Sequence, residues 1–240
     1  MFVRSQKRSF DMSQSLVSQS HPLAIHAERG STPREFRRMA LDAVEQLNAQ
    51  FLTLVCVQAA AQHAPFFFQG ELRTRFATLA PEERERLAKC GTLLVDFGAD
   101  DLRPDSIEDR SGVESLGYVP ARERWSPAPD ALWISHATLL FARTVLSYSR
   151  AEASVLLGMT PDVADMIAVM RFQDLSSLAE RNAGCVRLRW CDAPAFWAQL
   201  LDLACSASRE VRRLLPLRCL QLPGGYSIRL TQYLTRRAQQ

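Results

Sequence analysis

The residue types that carry out catalysis or bind metals occur in this sequence without the spacing that those functions require. The six cysteines stand at positions 56, 90, 185, 191, 205 and 219, so none forms a C-x-x-C pair, and no histidine lies near the last four. This spacing supports neither a zinc site nor a disulfide framework, and it predicts free thiols buried in the core. We therefore expect no metal and no cofactor.

The histidines and glutamates form no catalytic arrangement either. His63 and His136 are single histidines inside apolar helical stretches, which is typical of core or interface histidines. Glu82, Glu83 and Glu85 open a predicted helix, where the helix dipole favours carboxylates. No G-x-x-x-x-G-K-[ST], G-x-G-x-x-G, H-E-x-x-H or G-x-S-x-G motif occurs, so we predict that the protein is not an enzyme.

Arginine is the one residue type with a clear binding chemistry that is concentrated in particular parts of the chain. Residues 1–40 carry a net charge of +4, residues 41–205 of −7 and residues 206–240 of +6. An acidic body with basic ends favours contact with a polyanion through those ends. Arginines bound to phosphates supply affinity for DNA without reading its sequence. The candidate DNA-binding residues lie in a predicted strand and in the C-terminal segment: Arg187, Arg189, Arg209, Arg212, Arg213, Arg218, Arg229, Arg236 and Arg237.

The elements that position these side chains are mainly helical, with one short β-strand in each of two units. Residues 1–33 are rich in Ser and Gln and predict a disordered tail, and they lack the apolar stretch of a secretory signal. A first helical unit is expected at 34–98, starting at a Thr-Pro-Arg-Glu capping sequence. No apolar run approaches the roughly 20 residues that span a bilayer.

The remaining chain divides into a linker, a second unit and a basic end. Residues 99–130 are interrupted by Gly and Pro and rich in Asp and Glu, which predicts a linker. The second unit is expected at 131–207 and the basic C-terminal segment at 208–240. Long helices at 36–62 and 131–149 are expected to form the interface between the units, because the second has an apolar face too wide for one small neighbour. Its candidate interface residues are Leu132, Trp133, Leu139, Leu140, Phe141 and Leu146.

A helix-turn-helix spacing runs from Ala153 to Ile167 in the second unit. The second helix of such a motif presents its first residues to base edges between two phosphate strands. Here those residues are Pro161, Asp162 and Asp165, and phosphates repel carboxylates. The pattern therefore favours a compact helical corner over a DNA-reading helix.

The two units align with each other when the sequence is shifted by 91 positions. Seven apolar residues of the first unit then match seven of the second, and a two-residue deletion also brings the two alternating strands into register. This pattern predicts an internal repeat, in which two similar units pack as a dimer does and each long helix covers the other. The matched residues are Leu54, Val55, Leu72, Phe76, Leu79, Leu87 and Ala88 with Val145, Leu146, Val163, Ile167, Met170, Leu178 and Ala179.

The second unit resembles FlhD, a subunit of the bacterial flagellar transcription activator. The resemblance runs from Leu139 to Trp190 and is carried by an ordered series of short motifs. These motifs are Leu139-Leu140-Phe141-Ala142-Arg143, Ala151-Glu152-Ala153-Ser154, Leu157-Gly158-Met159 and Leu178-Ala179-Glu180-Arg181-Asn182. The first unit resembles the family more weakly, as a degenerate repeat.

The resemblance implies a mainly α-helical, non-catalytic subunit of a cytoplasmic transcription activator. Proteins of this family are dimeric and assemble with FlhC, a zinc-containing partner, on promoter DNA, and similar pairs regulate the transfer genes of integrative conjugative elements. This chain is about twice as long as a flagellar FlhD and has an additional basic end, which favours a regulator of a mobile element. Two alternatives remain open: a stand-alone DNA-binding protein that uses its C-terminal arginines, and a protein–protein adaptor without a DNA function.

Overall fold

The computed structural model describes residues 32–61, 68–96, 129–183 and 186–221. The fold in these ranges is mainly α-helical, with ten helices and a two-stranded antiparallel sheet, which confirms the predicted fold class at that level. The elements are α1 (Pro33–Ala60), α2 (Glu71–Ala77), α3 (Pro81–Ala88), β1 (Val95–Asp96), α4 (Pro129–Tyr148), α5 (Arg150–Leu157), α6 (Pro161–Val169), α7 (Phe172–Asn182), β2 (Arg187–Leu188), α8 (Pro194–Cys205), α9 (Arg209–Arg212) and α10 (Leu214–Gln221).

Local capping signals determine where several helices begin. Thr32 accepts a hydrogen bond from the Glu35 backbone N–H, and the Glu35 carboxylate accepts one from the Thr32 N–H at 2.8 Å, so the predicted capping box is present. Thr160 caps α6 by accepting from the Val163 N–H at 3.2 Å, and Ser149 caps α5 in the same way. Such caps satisfy backbone donors that have no partner within the helix.

Each long helix is the centre of its own group of helices. In the first unit α1 packs against α2 and α3, and in the second unit α4 packs against α5, α6 and α7. The two long helices also contact each other. Phe36, near the start of α1, stacks on Tyr148 at the end of α4 with ring centroids 3.7 Å apart, and Arg37 forms an ion pair with Glu152. The beginning of one long helix therefore meets the end of the other.

A buried amide connects α1 to the chain that leads into β1. Asn48 is fully buried, and its Nδ2 donates to the carbonyl oxygens of Ala88 at 3.1 Å and Thr92 at 2.8 Å. Its Oδ1 accepts from the Leu94 N–H at 2.7 Å. Because each of these backbone groups is buried in an apolar core, the amide satisfies hydrogen bonds that water does not reach.

The two short strands join the units directly. Val95 pairs with Leu188 and Asp96 with Arg187 in an antiparallel register. Within the described residues, which stop at Asp96 on the first strand, two residues of each strand meet in ladder geometry.

Helix α8 leaves the second unit and packs against α2 and α3 of the first. Its Trp197 is fully buried and lies beside Phe76, with ring centroids 5.5 Å apart, and beside Phe68 at 6.4 Å. Arg75 forms an ion pair with Asp202 at 2.7 Å, and Arg86 donates to the Ala204 carbonyl at 3.0 Å. Aromatic packing at the centre and arginine contacts at the edge thus fasten this helix to the other unit.

The predicted tail and most of the predicted linker lie outside the described residues. The structure begins its first helix at Pro33 and its fourth at Pro129, the latter inside the predicted linker. The C-terminal segment is described as far as residue 221, where α9 and α10 form two further short helices that pack on each other and on α8.

Candidate interaction surfaces

The two arginines of the predicted strand do different things. Arg187 is half-buried and donates from Nε to the Asp96 carboxylate at 2.7 Å across the strand pair. Arg189 is buried, with 7% of its surface exposed. Because Arg189 is buried, a phosphate cannot reach it in this conformation. Arg187 is accessible in part, but a phosphate would have to compete with the Asp96 carboxylate for its guanidinium.

Arg189 holds the junction of the units from inside. Its Nη1 donates to the Leu93 carbonyl of the first unit at 3.3 Å, and its guanidinium lies 4.7 Å from the ring centroid of Trp190. Burial lowers the pKa of the guanidinium, while the nearby carboxylate of Asp96 favours its charged form. Its neighbour Trp190 adopts a left-handed backbone with φ of 57°, a conformation that few non-glycine residues take.

The helix-turn-helix region forms a corner around this buried guanidinium. Gly158 ends α5 in a left-handed conformation with φ of 64°, and a side chain there would collide with the guanidinium of Arg189. Asp165, exposed on α6, forms an ion pair with Arg150. The carboxylates Asp162 and Asp165 of this corner are therefore exposed to solvent, whereas the guanidinium of Arg189 beside it is buried.

The C-terminal arginines divide into engaged and exposed side chains. Arg212 donates from Nη1 to the Ser206 and Ala207 carbonyls, both at 2.8 Å, and so helps to end α8. Arg218 donates from Nε to Gln199 at 3.1 Å and lies over the Phe196 ring. Arg209 on α9 and Arg213 directly after it are exposed, and the predicted contacts Arg229, Arg236 and Arg237 lie outside the described residues.

The candidate interface residues of α4 mostly face the interior of this chain. Leu139, Phe141 and Leu146 are buried, Leu132 and Trp133 are half-buried, and Leu140 is 38% exposed. Since α4 contacts α1 as well as the helices of its own unit, part of its wide apolar face is covered within the monomer.

The free thiols are less uniformly buried than the sequence predicts. Cys56, Cys90 and Cys219 are buried and Cys191 is half-buried, but Cys205 is exposed, so the expectation of a buried thiol is wrong there. Cys205 is the last residue of α8 and lies near Glu83 of α3. Burial raises the pKa of the Cys56 thiol. Among the described residues no three His, Cys, Asp or Glu side chains cluster as metal ligands.

An apolar surface on α6 and α7 was not identified from the sequence. Val169 ends α6 with 82% exposure, and Phe172 begins α7 with 62% exposure. Met166 and Met170 beside them are half-buried. We call these four residues the α6–α7 patch. The sequence pattern does not reveal this exposure, because an apolar residue on a short helix has the same spacing whether it is buried or exposed.

Comparison with known protein families finds a match in the second unit. Residues 136–213 match the family model of FlhD, the flagellar transcriptional activator. These residues are similar to FlhD. The match includes the predicted resemblance at 139–190 and extends through α8 to the end of α9. The family is one of transcriptional activators, and the first unit lies outside the match.

Neither the curated proteins nor the solved structures gave a significant match to the chain. In the described ranges, no helix combines the length and apolar character that crossing a bilayer requires.

Proposed function

We propose that this protein is a non-catalytic subunit of a bacterial transcription activator, and that it binds promoter DNA together with an FlhC-like, zinc-containing partner in the cytoplasm. The observation that carries the proposal is the match of residues 136–213 to the FlhD family. A regulator acts through the surfaces it offers to protein and DNA, and two such surfaces accompany the match. One is the exposed apolar α6–α7 patch, and the other is the arginine-rich end of the chain.

We further propose that the chain is a pseudo-dimer, in which the first unit takes the place of a second FlhD-like copy. The strand pairing supports this arrangement. Positions 95 and 188 are matched by the repeat and are also the two residues that pair. When two equivalent strands pair antiparallel through equivalent residues, a two-fold axis relates them. A two-fold axis is also the symmetry of most dimers.

The helix starts give independent support for the repeat. The backbone N–H of Ala80 donates to the Glu83 carboxylate at 2.9 Å at the start of α3. The N–H of Arg171 donates to the Asp174 carboxylate at 3.1 Å at the start of α7. These two pairs lie at matching positions of the two units, 91 residues apart. The helix that begins at each pair, α3 or α7, packs on the long helix of its own unit, α1 or α4.

For DNA contact we propose the exposed arginines of the C-terminal segment. Arg209 on α9 and Arg213 directly after it are solvent-accessible, and Arg236 and Arg237 follow in the sequence. These side chains suit phosphates, because their affinity comes from charge and fork-shaped hydrogen bonding and needs no groove geometry. Arg189 has no place in this surface because it is buried.

Co-expression with an FlhC-like protein tests the proposal. We expect the two chains to elute together in size exclusion at micromolar concentration and to shift a promoter fragment together. Neutralising Arg236 and Arg237 to Gln should reduce the salt dependence of binding, by about 0.9 in the log–log slope for each lost phosphate contact. The matched control is the neutralisation of Arg34 and Arg38, two exposed arginines of α1. Separate elution of the two chains contradicts the proposal.

A stand-alone DNA-binding protein is the second candidate, and the net charge of +6 at the C-terminal end favours it. In that case the purified chain alone shifts DNA with a steep salt dependence. An adaptor without a DNA function would show neither the joint shift nor the shift by the chain alone.

A further inference from the structure

Two buried thiols from distant parts of the chain lie together beside the junction of the units. Cys90 comes just after α3 in the first unit, and Cys219 lies on α10. Both are free thiols, with 0% and 1% of their surface exposed. The two thiols are hydrogen-bonded to each other. Among the described cysteines no other thiol has a second thiol as its hydrogen-bond partner.

The packing of α10 supports this contact independently. A Cβ added to Gly91, the residue after Cys90, would lie 3.8 Å from the Cβ of Pro216 on α10. Leu215 stands four residues before Cys219 and therefore on the same face of the helix, and it is buried as well. Helix α10 thus turns the face that carries Cys219 toward the turn that follows α3.

The polar groups around the pair suit cysteine chemistry. The Cys90 thiol donates to the Thr92 carbonyl at 3.1 Å, and its sulfur accepts from the Asn48 Nδ2 at 3.6 Å. The buried guanidinium of Arg189 interacts electrostatically with both sulfurs. A nearby positive charge and an amide donor stabilise a thiolate, which is the form of cysteine that reacts with oxidants.

We propose that Cys90 and Cys219 form a disulfide when the protein is exposed to a hydroperoxide, and that this bond fastens α10 to the first unit. With hydrogen peroxide, one thiolate attacks an oxygen, the O–O bond breaks, and the sulfur becomes a sulfenic acid while the other oxygen leaves as water. The second sulfur then attacks the sulfenic sulfur, the S–O bond breaks, and a second water leaves. Two thiols and one hydrogen peroxide thus give one disulfide and two waters.

The fold makes this reaction both protected and specific. The sulfurs of a disulfide are about 2 Å apart, so thiols that already share a hydrogen bond need little movement to form one. Because both thiols are buried, the oxidant reaches them when α10 opens locally. Helix α10 has eight residues and packs mainly on α8 and α9, so it can open while the two long helices stay packed. The disulfide then holds α10 in its packed position.

Peptide mapping of the full-length protein tests the proposal. The reduced protein is treated with hydrogen peroxide, denatured, alkylated at its remaining thiols and digested with trypsin without reductant. We expect one linked pair of peptides, containing Cys90 and Cys219, that separates on reduction. The oxidised protein should also melt at least about 5 °C above the reduced protein in circular dichroism, because a cross-link between distant residues restricts the unfolded chain.

Two variants separate this pair from the other thiols. Cys205→Ser is the matched control, because Cys205 is exposed and has no thiol partner, and it should keep both the linked peptides and the shift in Tm. Cys219→Ser should lose both.

Separately alkylated Cys90 and Cys219 peptides from the oxidised wild type overturn the proposal, whatever the stability of the variants. A link from either residue to a different cysteine overturns it as well. A correctly linked protein whose Tm does not rise overturns the claim that the bond fastens α10.

Discussion

The buried amide of Asn48 gives the sharpest test of how the first unit is held together. In Asn48→Leu the side-chain volume is nearly kept, but the Ala88 and Thr92 carbonyls and the Leu94 N–H lose the amide, and of the three only the Thr92 carbonyl keeps another donor, the Cys90 thiol. Each buried backbone group left without a hydrogen bond costs about 1–3 kcal/mol. We expect the variant to lose about 3 kcal/mol of unfolding free energy, because leucine regains part of the loss through apolar packing.

Urea unfolding followed by far-UV circular dichroism measures this loss. For a chain of this size a loss of 3 kcal/mol corresponds to a fall in Tm of about 6–12 °C. The matched control is Gln46→Leu, which changes an exposed amide on the same helix and should alter stability by less than about 0.5 kcal/mol. A loss below about 1 kcal/mol in Asn48→Leu would refute the reasoning, because the three backbone groups would then have found water or other partners.

Two further predictions test other local contacts. Gly158→Ala should lower the free energy of unfolding in urea by about 2 kcal/mol more than Gly70→Ala does. Both glycines have positive φ, but only at Gly158 does the new Cβ meet the guanidinium of Arg189. Equal losses in the two variants would disprove that close approach. Thr32→Ala should raise the pKa of Glu35 part of the way to its usual value in an NMR titration, because the backbone and side-chain hydrogen bonds of Thr32 lower it. Since the folded pKa is lowered, the stabilisation by this carboxylate is present at neutral pH and is lost as the pH falls through the folded value, and an unchanged pKa would contradict the capping box.

The positions of the helices followed from local sequence. The predicted start of α1 at Thr32 and Pro33, with its capping sequence, was confirmed. These features depend on hydrogen bonds and steric limits between residues a few positions apart. The order of apolar residues in the second unit was equally informative, and the match at 136–213 confirms the resemblance drawn from 139–190.

The roles of individual side chains could not be predicted from the local sequence. Arg187 and Arg189 stand two positions apart in an alternating strand, which by itself places both on one face. The packing of Gly158 and Trp190 around this strand encloses one guanidinium, while Asp96 of the opposite strand binds the other. What each side chain on a strand face meets is decided by tertiary neighbours, here Gly158 for Arg189 and Asp96 for Arg187.

The sequence by itself determined the helical class, the start of α1 and the similarity of the second unit to a known family, because periodicity and capping act over a few residues. Only the tertiary structure decided that α8 crosses to the first unit, that Asn48 is a buried connector and that Val169 and Phe172 remain exposed. These properties depend on which surfaces meet after folding. An apolar residue on a short helix has the same local pattern whether a neighbouring helix covers it or leaves it for a partner.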